Sequence, residues 1–178
     1  MTTYVALLRG INVGGRAAVR MEDLRALAGA LGHAEVRTHI RSGNLLFRSA
    51  AGPADLARGL EERIAADLGL RVAVLLRSRE DLAAAVSGNP FLPGGADPQR
   101  LHVTFLAGPA EAGRLATIQA ERYLPDEFRA LGREVYVHCP GGYGETRLSN
   151  TFFEARLGLA ATTRNWNTVC RLLALAGG

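Results

Sequence analysis

The stretch VRTHIRSGNLLFR, Val36 to Arg48, decides the fold. Val36, Thr38 and Ile40 alternate with Arg37, His39 and Arg41, the period-two pattern of a strand with two unlike faces. Arg41, Ser42, Gly43 and Asn44 are turn residues, and Leu45 to Arg48 leaves the turn as a second strand. A hairpin therefore sits at the centre of the first half. Upstream of it, Met21, Leu24, Leu27, Ala28 and Leu31 recur at helical spacing until Gly32. Before that helix, Tyr4 to Arg9 is a short apolar strand, followed by the glycine-containing loop Gly10 to Gly15. Downstream, Pro53 suits a first helical turn, and Leu56, Leu60, Ile64 and Leu68 share one helical face before Gly69. Arg71 to Arg77, with Val72, Val74 and Leu76 alternating, closes the set. Strand, helix, strand, strand, helix, strand is the split βαβ, ferredoxin-like order.

The second half repeats much of it. Ser78 caps a short helix reaching Ser87, and Asn89 to Gly95 reads as a connector. Leu101 to Leu106 reads as a strand, Pro109 opens a helix carrying Leu115 and Ile118, and Phe128–Leu131 with Val135–Cys139 flank Gly132 as a hairpin. Two helices are expected to close the chain, one from Ser149 to Leu157 and one from Arg164 to Ala176, the latter capped by a threonine. The expectation is an α+β protein of two ferredoxin-like repeats, antiparallel sheets with helices packed on one face. The first covers 1–88 as βαββαβ plus a short helix; the second covers 89–178 as a modified βαββαα. The order of elements suggests duplication without a residue-level repeat to match.

Composition narrows the function classes. All 21 basic residues are arginine, against 17 acidic residues, so the net charge is +4. Anionic partners are allowed by that balance, although a GC-rich genome writes the same arginines. Arg58, Arg63, Arg79, Arg122 and Arg156 lie beside acidic residues on expected helices and read as solvated charge. No apolar run approaches the roughly 18 residues of a membrane span, and the N-terminus is a poor signal peptide. Two cysteines, Cys139 and Cys170, are too few for a disulfide framework or a four-thiolate metal site. A cytoplasmic protein without membrane association is expected.

Several ordered blocks resemble one bacterial family. They are Leu8 to Gly15 with Met21 and Leu24, Thr38 to Asn44 with Phe47, Asn89 to Phe91, Leu148 to Asn150 with Phe153 and Glu154, and Thr162 to Thr168. The chain resembles the uncharacterised family known as domain of unknown function 1697 over nearly its whole length. This sequence has His39 and Arg41 where the family pattern usually has an aromatic and an amide. The resemblance implies a duplicated ferredoxin-like architecture and no particular activity.

The split βαβ order also says which segments meet. The loop after the first strand and the turn between the second and third lie at the same end of the sheet. There Arg9 and Asn12 offer side-chain donors, Gly14 allows close backbone approach, and Ser42 and Asn44 flank the turn. Glycines that merely take positive φ, and a turn that is only a turn, are the plainer alternatives. In the second repeat, Arg164 in a first helical turn would oppose the helix dipole, so a carboxylate such as Glu154 or a bound anion should meet it; Asn165 stands beside it. Neither a dinucleotide fingerprint nor a P-loop occurs, and no cofactor or metal is expected. Cys139 is followed six residues on by Glu145, where a phosphate-cradling cysteine loop needs arginine. The preferred expectation is a binding module for an anionic or phosphate-bearing small ligand at the Arg9–Gly15 and Ser42–Asn44 edge, joined by Arg164 and Asn165. Alternatives are an enzyme on a phosphorylated or carboxylated metabolite, with Tyr143 or a histidine as acid–base group, a nucleic-acid binder using the basic stripe Arg37, His39 and Arg41, and a structural or oligomeric module.

Overall fold

The computed structural model describes every residue from Met1 to Gly178. By compactness the chain divides into two units, Met1–Ala83 with Leu172–Gly178, and Ala84–Arg171. No helix is long and apolar enough to cross a membrane.

The first repeat runs β1 (Thr2–Leu8), α1 (Met21–Ala30), β2 (Ala34–His39), β3 (Asn44–Ser49), α2 (Pro53–Leu68), β4 (Val74–Ser78) and α3 (Arg79–Ser87). Its four strands form an antiparallel sheet in the order β2-β3-β1-β4. Tyr4, Ala6 and Leu8 of β1, Leu45 and Phe47 of β3, and Val74 and Leu76 of β4 project to one face. They meet Leu24, Leu27 and Ala28 of α1 and Leu56, Leu60 and Ile64 of α2 in one core. Full burial of a side chain such as Leu60 or Ile64 contributes about 1.5–3 kcal/mol. Pro53 starts α2 and Gly69, at φ 66°, ends it in the left-handed conformation that favours glycine.

The second repeat runs β5 (Leu101–Leu106), α4 (Ala112–Leu115), β6 (Glu127–Leu131), β7 (Glu134–His138), α5 (Asn150–Leu157), β8 (Ala161–Asn165) and α6 (Trp166–Ala176). Its sheet order, β6-β7-β5-β8, is that of the first. Leu106, Val135, Val137, Phe153, Leu157 and Ala161 lie in its core. The βαββαα expectation is therefore corrected to βαββαβα, the pattern of the first repeat. Residues 161–165 are not the mouth of a helix but an edge strand paired with β5. Thr162 and Thr163 are β-branched and suit that strand. The cap is Asn165, whose Oδ1 accepts the Thr168 N–H at 2.8 Å. Along α6 the buried positions are Trp166, Thr168, Val169, Leu172 and Ala176, while Cys170 and Leu173 are half-buried.

Register turns the repeated order into a residue-level correspondence. Val5 of β1 lies opposite Leu46 on β3 and Arg77 on β4. Val103 of β5 lies opposite Tyr136 on β7 and Arg164 on β8. Matching Val5 to Val103 places Arg77 on Arg164 and Ser78 on Asn165. Ser78 caps α3 as Asn165 caps α6: its Oγ accepts the Asp81 N–H at 3.0 Å, and the Asp81 carboxylate accepts the Ser78 N–H at 2.9 Å.

Candidate functional site

Two places stand out once the repeats are compared position by position. The first is the end of the first sheet where β1 leaves and β2 turns into β3. The Leu8 N–H donates to the Gly43 carbonyl at 2.9 Å, and the Asn12 side chain reaches the Arg41 carbonyl, so the two expected segments do meet. Between Asn12 and Ala17 the chain makes a small hairpin of its own. The Asn12 N–H donates to the Ala17 carbonyl and the Arg16 N–H to the Val13 carbonyl, each at 3.0 Å. Gly14 and Gly15 take φ 57° and 74°, as a turn with two left-handed central residues requires.

The asparagines at this end are structural. Asn12 donates from Nδ2 to the Val19 carbonyl at 2.9 Å and to the Arg41 carbonyl at 2.7 Å, and its Oδ1 accepts the Val19 N–H at 2.8 Å. Asn44 is fully buried and donates to the His39 carbonyl at 3.0 Å and to Ser42 Oγ at 3.1 Å. These amides hold loop and turn together through their internal bonds. Arg9 is half-buried at the end of β1, its N–H bonded to the Ala73 carbonyl at 3.0 Å, while Arg16 and Arg41 are exposed. Backbone strain gathers here. Of the four non-glycine residues with positive φ, Asn12 (55°), Ala17 (49°) and Ile40 (51°) lie at this end. A β-branched residue such as Ile40 is a genuine outlier in that region.

Arg164 and Asn165 lie in the second unit, and as neighbours on a strand they point to opposite faces. Arg164 is 7% exposed and donates to Thr162 Oγ1 at 2.7 Å and to the Thr163 carbonyl at 3.0 Å. Burial pushes its guanidinium down to about 10. It is a buried strand arginine, not the first-turn cation the sequence suggested.

Sequence reasoning did not assemble the second place, although it named Asn165 as a site residue and Tyr143 or a histidine as an acid–base candidate. His102 opens β5 opposite Asn165 at the end of β8. Asp97 and Gln99 precede β5, and Trp166 and Asn167 begin α6; with His102 and Asn165 they line a recess of 540 Å³. The His102 ring stacks on Tyr143 with centroids 4.2 Å apart. Its Nδ1 is buried without a hydrogen-bond partner, and burial lowers its pKa, favouring the neutral imidazole. The Tyr143 hydroxyl is buried too and its pKa is raised by burial, an effect that neighbouring Thr163 and Asn150 partly offset. Beneath lies a polar network: Thr163 Oγ1 donates to Asn150 Oδ1 at 2.9 Å and lies 2.8 Å from Thr104 Oγ1. Asn150 Nδ2 donates to Glu154 at 3.1 Å and to the Ala161 carbonyl at 2.9 Å. The available signal was a run of polar residues, His102, Thr104, Thr163 and Asn165, at strand positions that face helices.

Within the basic stripe, Arg37 has a partner of its own. Arg37 donates to the Leu175 carbonyl at 2.8 Å, near the C-terminal end of α6, where a cation suits the helix dipole. On the sheet face that Arg37 shares, Val5, Leu7, Leu46 and Leu75 are all buried. Tyr4 and Phe47, the aromatics a base-stacking sheet would need, sit in the helix-side core at 8% and 1% exposure.

Comparison with known proteins agrees with this architecture. A conserved bacterial protein from Streptococcus pneumoniae, SP0830, has a solved structure that superposes with a TM-score of 0.76 at 25% identity, covering 98% of each chain. No curated protein matches. The family model described as "Protein of unknown function (DUF1697)" matches residues 1–136, which contain the whole first repeat and the second as far as β7. Together with the two matching βαββαβα repeats, that match places this chain in the DUF1697 family.

Proposed function

We propose that this chain is a cytoplasmic binding module that holds an anionic or phosphate-bearing small ligand at the loop end of its first sheet, between Arg9–Gly15 and Ser42–Asn44. The observation that carries the reading is the gathering of strained backbone at Asn12, Ala17 and Ile40. Such conformations cost about 1–3 kcal/mol each and persist where surrounding structure enforces them, often at ligand clamps. Here the enforcing bonds are those of Asn12 and Asn44. The recognising groups are the arginines, Arg9 with exposed Arg16 and Arg41, beside the exposed Gly14–Gly15 turn. Ser42 and the two asparagines set the frame. Arg164 and Asn165 act within the second unit, one as a buried strand arginine and one as a helix cap. Two free cysteines, one of them fully buried, suit a reducing compartment.

Calorimetric titration with inorganic phosphate and pyrophosphate tests the reading. The wild-type protein is expected to bind at least one of them, more weakly as salt rises, and an Arg9→Ala/Arg41→Ala double variant to lose the heat. Absence of binding by the wild type, or equal binding by the variant, removes the proposal.

A further inference from the structure

Each repeat carries a recess beside the first residues of its central strand. In the first repeat it is lined by Met1, Thr2, Thr3, Arg79 and Glu80, together with the chain's own C-terminal Ala176 and Gly177, and measures 380 Å³. In the second it measures 540 Å³ and is lined by Asp97, Gln99, His102, Asn165, Trp166 and Asn167. On the strand face beside these recesses, register places His102 where the first repeat has Tyr4, Thr104 where it has Ala6, Thr163 where it has Leu76 and Asn165 where it has Ser78. The first repeat thus has a mostly apolar surface under its helices where the second has a polar one. Leaving a buried polar group without a partner costs roughly 1–3 kcal/mol. Thr104, Thr163 and Asn150 satisfy one another, but His102 Nδ1 stays buried and unpartnered.

The lining also limits what fits. Asp97 uses Oδ1 to accept the Gln99 N–H at 3.0 Å, and Asn165 uses Oδ1 on the Thr168 N–H. Asp97 Oδ2, Asn165 Nδ2 and the side-chain amides of Gln99 and Asn167 make no bond within the protein. No lysine or arginine lines the recess, and Asp97 repels anions. We propose that this recess is a second binding site, for a small uncharged molecule that presents hydrogen-bond donors to Asp97 and to the amides around His102. This site differs in place and in ligand charge from the arginine-bearing loop end.

Trp166 is the only tryptophan in the chain and lines the recess, so its fluorescence reports on the site. The experiment titrates adenine, cytosine, glucose and inorganic phosphate separately against the full chain, following Trp166 emission and the His102 ring resonances by NMR. At least one of the three uncharged probes is expected to move both signals, and phosphate neither. A Gln99→Ala/Asn167→Ala double variant, altered only at exposed positions, is expected to bind that probe about tenfold more weakly, about 1.4 kcal/mol. The Arg9→Ala/Arg41→Ala variant is expected to bind it as the wild type does, which separates this site from the loop end. Silence from all three uncharged probes, a response to phosphate alone, or undiminished binding by the Gln99/Asn167 variant would overturn the assignment.

Discussion

Asn12 donates to the carbonyl of Arg41 at 2.7 Å and so ties the loop after the first strand to the turn of the central hairpin. The same side chain also closes a two-way bond with the Val19 backbone. One residue thereby fixes three points of the loop end.

Replacing that residue should loosen this end without dissolving the core. Asn12→Ala strands the Val19 N–H and two carbonyls, a cost of about 2–3 kcal/mol. Hydrogen exchange should show Val19 and its neighbours losing protection while Leu60 and Ile64 keep theirs. Equal protection of residue 19 in both proteins would show that the tie carries no weight.

Gly43 is the second sensitive point. It sits at φ 92°, and a Cβ there would lie 2.8 Å from Ile11 Cδ1 and 3.0 Å from Leu8 Cβ. Both contacts are within the packed interior, since Leu8 and Ile11 are 1% exposed. Gly43→Ala should therefore destabilise by about 2–4 kcal/mol, combining backbone strain with overpacking. Urea denaturation measures this, and a change below about 0.5 kcal/mol would contradict it.

The paired caps offer an internal comparison. Ser78→Ala and Asn165→Ala each remove an N-cap acceptor from equivalent helices, and each should cost about 0.5–2 kcal/mol. Because the sites belong to separate repeats, the double variant should lose close to the sum of the two. Thermal melts of the four proteins decide it, and strong non-additivity would speak against independent caps.

Burial lowers the pKa of both His33 and His102 below the ordinary 6.5. The folded state thus binds these protons less readily than the unfolded chain does. Their stabilising contribution is present above pH 6.5 and is lost as pH falls through the lowered folded values. His102 is stacked on Tyr143, with Asp97 in the same recess; His33 is stacked on Phe47 at 4.4 Å. A His102→Asn variant should show a shallower fall in stability below pH 6.5 than the wild type. An identical slope would mean that His102 titrates normally.

Much of this architecture was legible from residue patterns. The hairpin around Ser42–Asn44 could be read because a period-two strand before it and a short apolar run after it were separated by residues that turns favour. The strand β8 could not, because a threonine before a helix looks the same as a threonine in a short edge strand; pairing with β5 decides the matter. Asn12 was ambiguous for a similar reason. An amide in a loop can face a ligand or bridge two carbonyls, and the partner carbonyl of Arg41 is remote in sequence. The recess around His102 depends on register between β5 and β8, which no local pattern encodes. What could have drawn attention to it is the polarity of His102, Thr104 and Thr163 in strands that face helices.

The most direct test of the proposed function is an amide NMR titration of the full chain with pyrophosphate. The account predicts shifts confined to residues 9–17 and 40–44, abolished in the Arg9→Ala/Arg41→Ala variant. Shifts elsewhere with those residues unmoved, or no shifts at all, would contradict it.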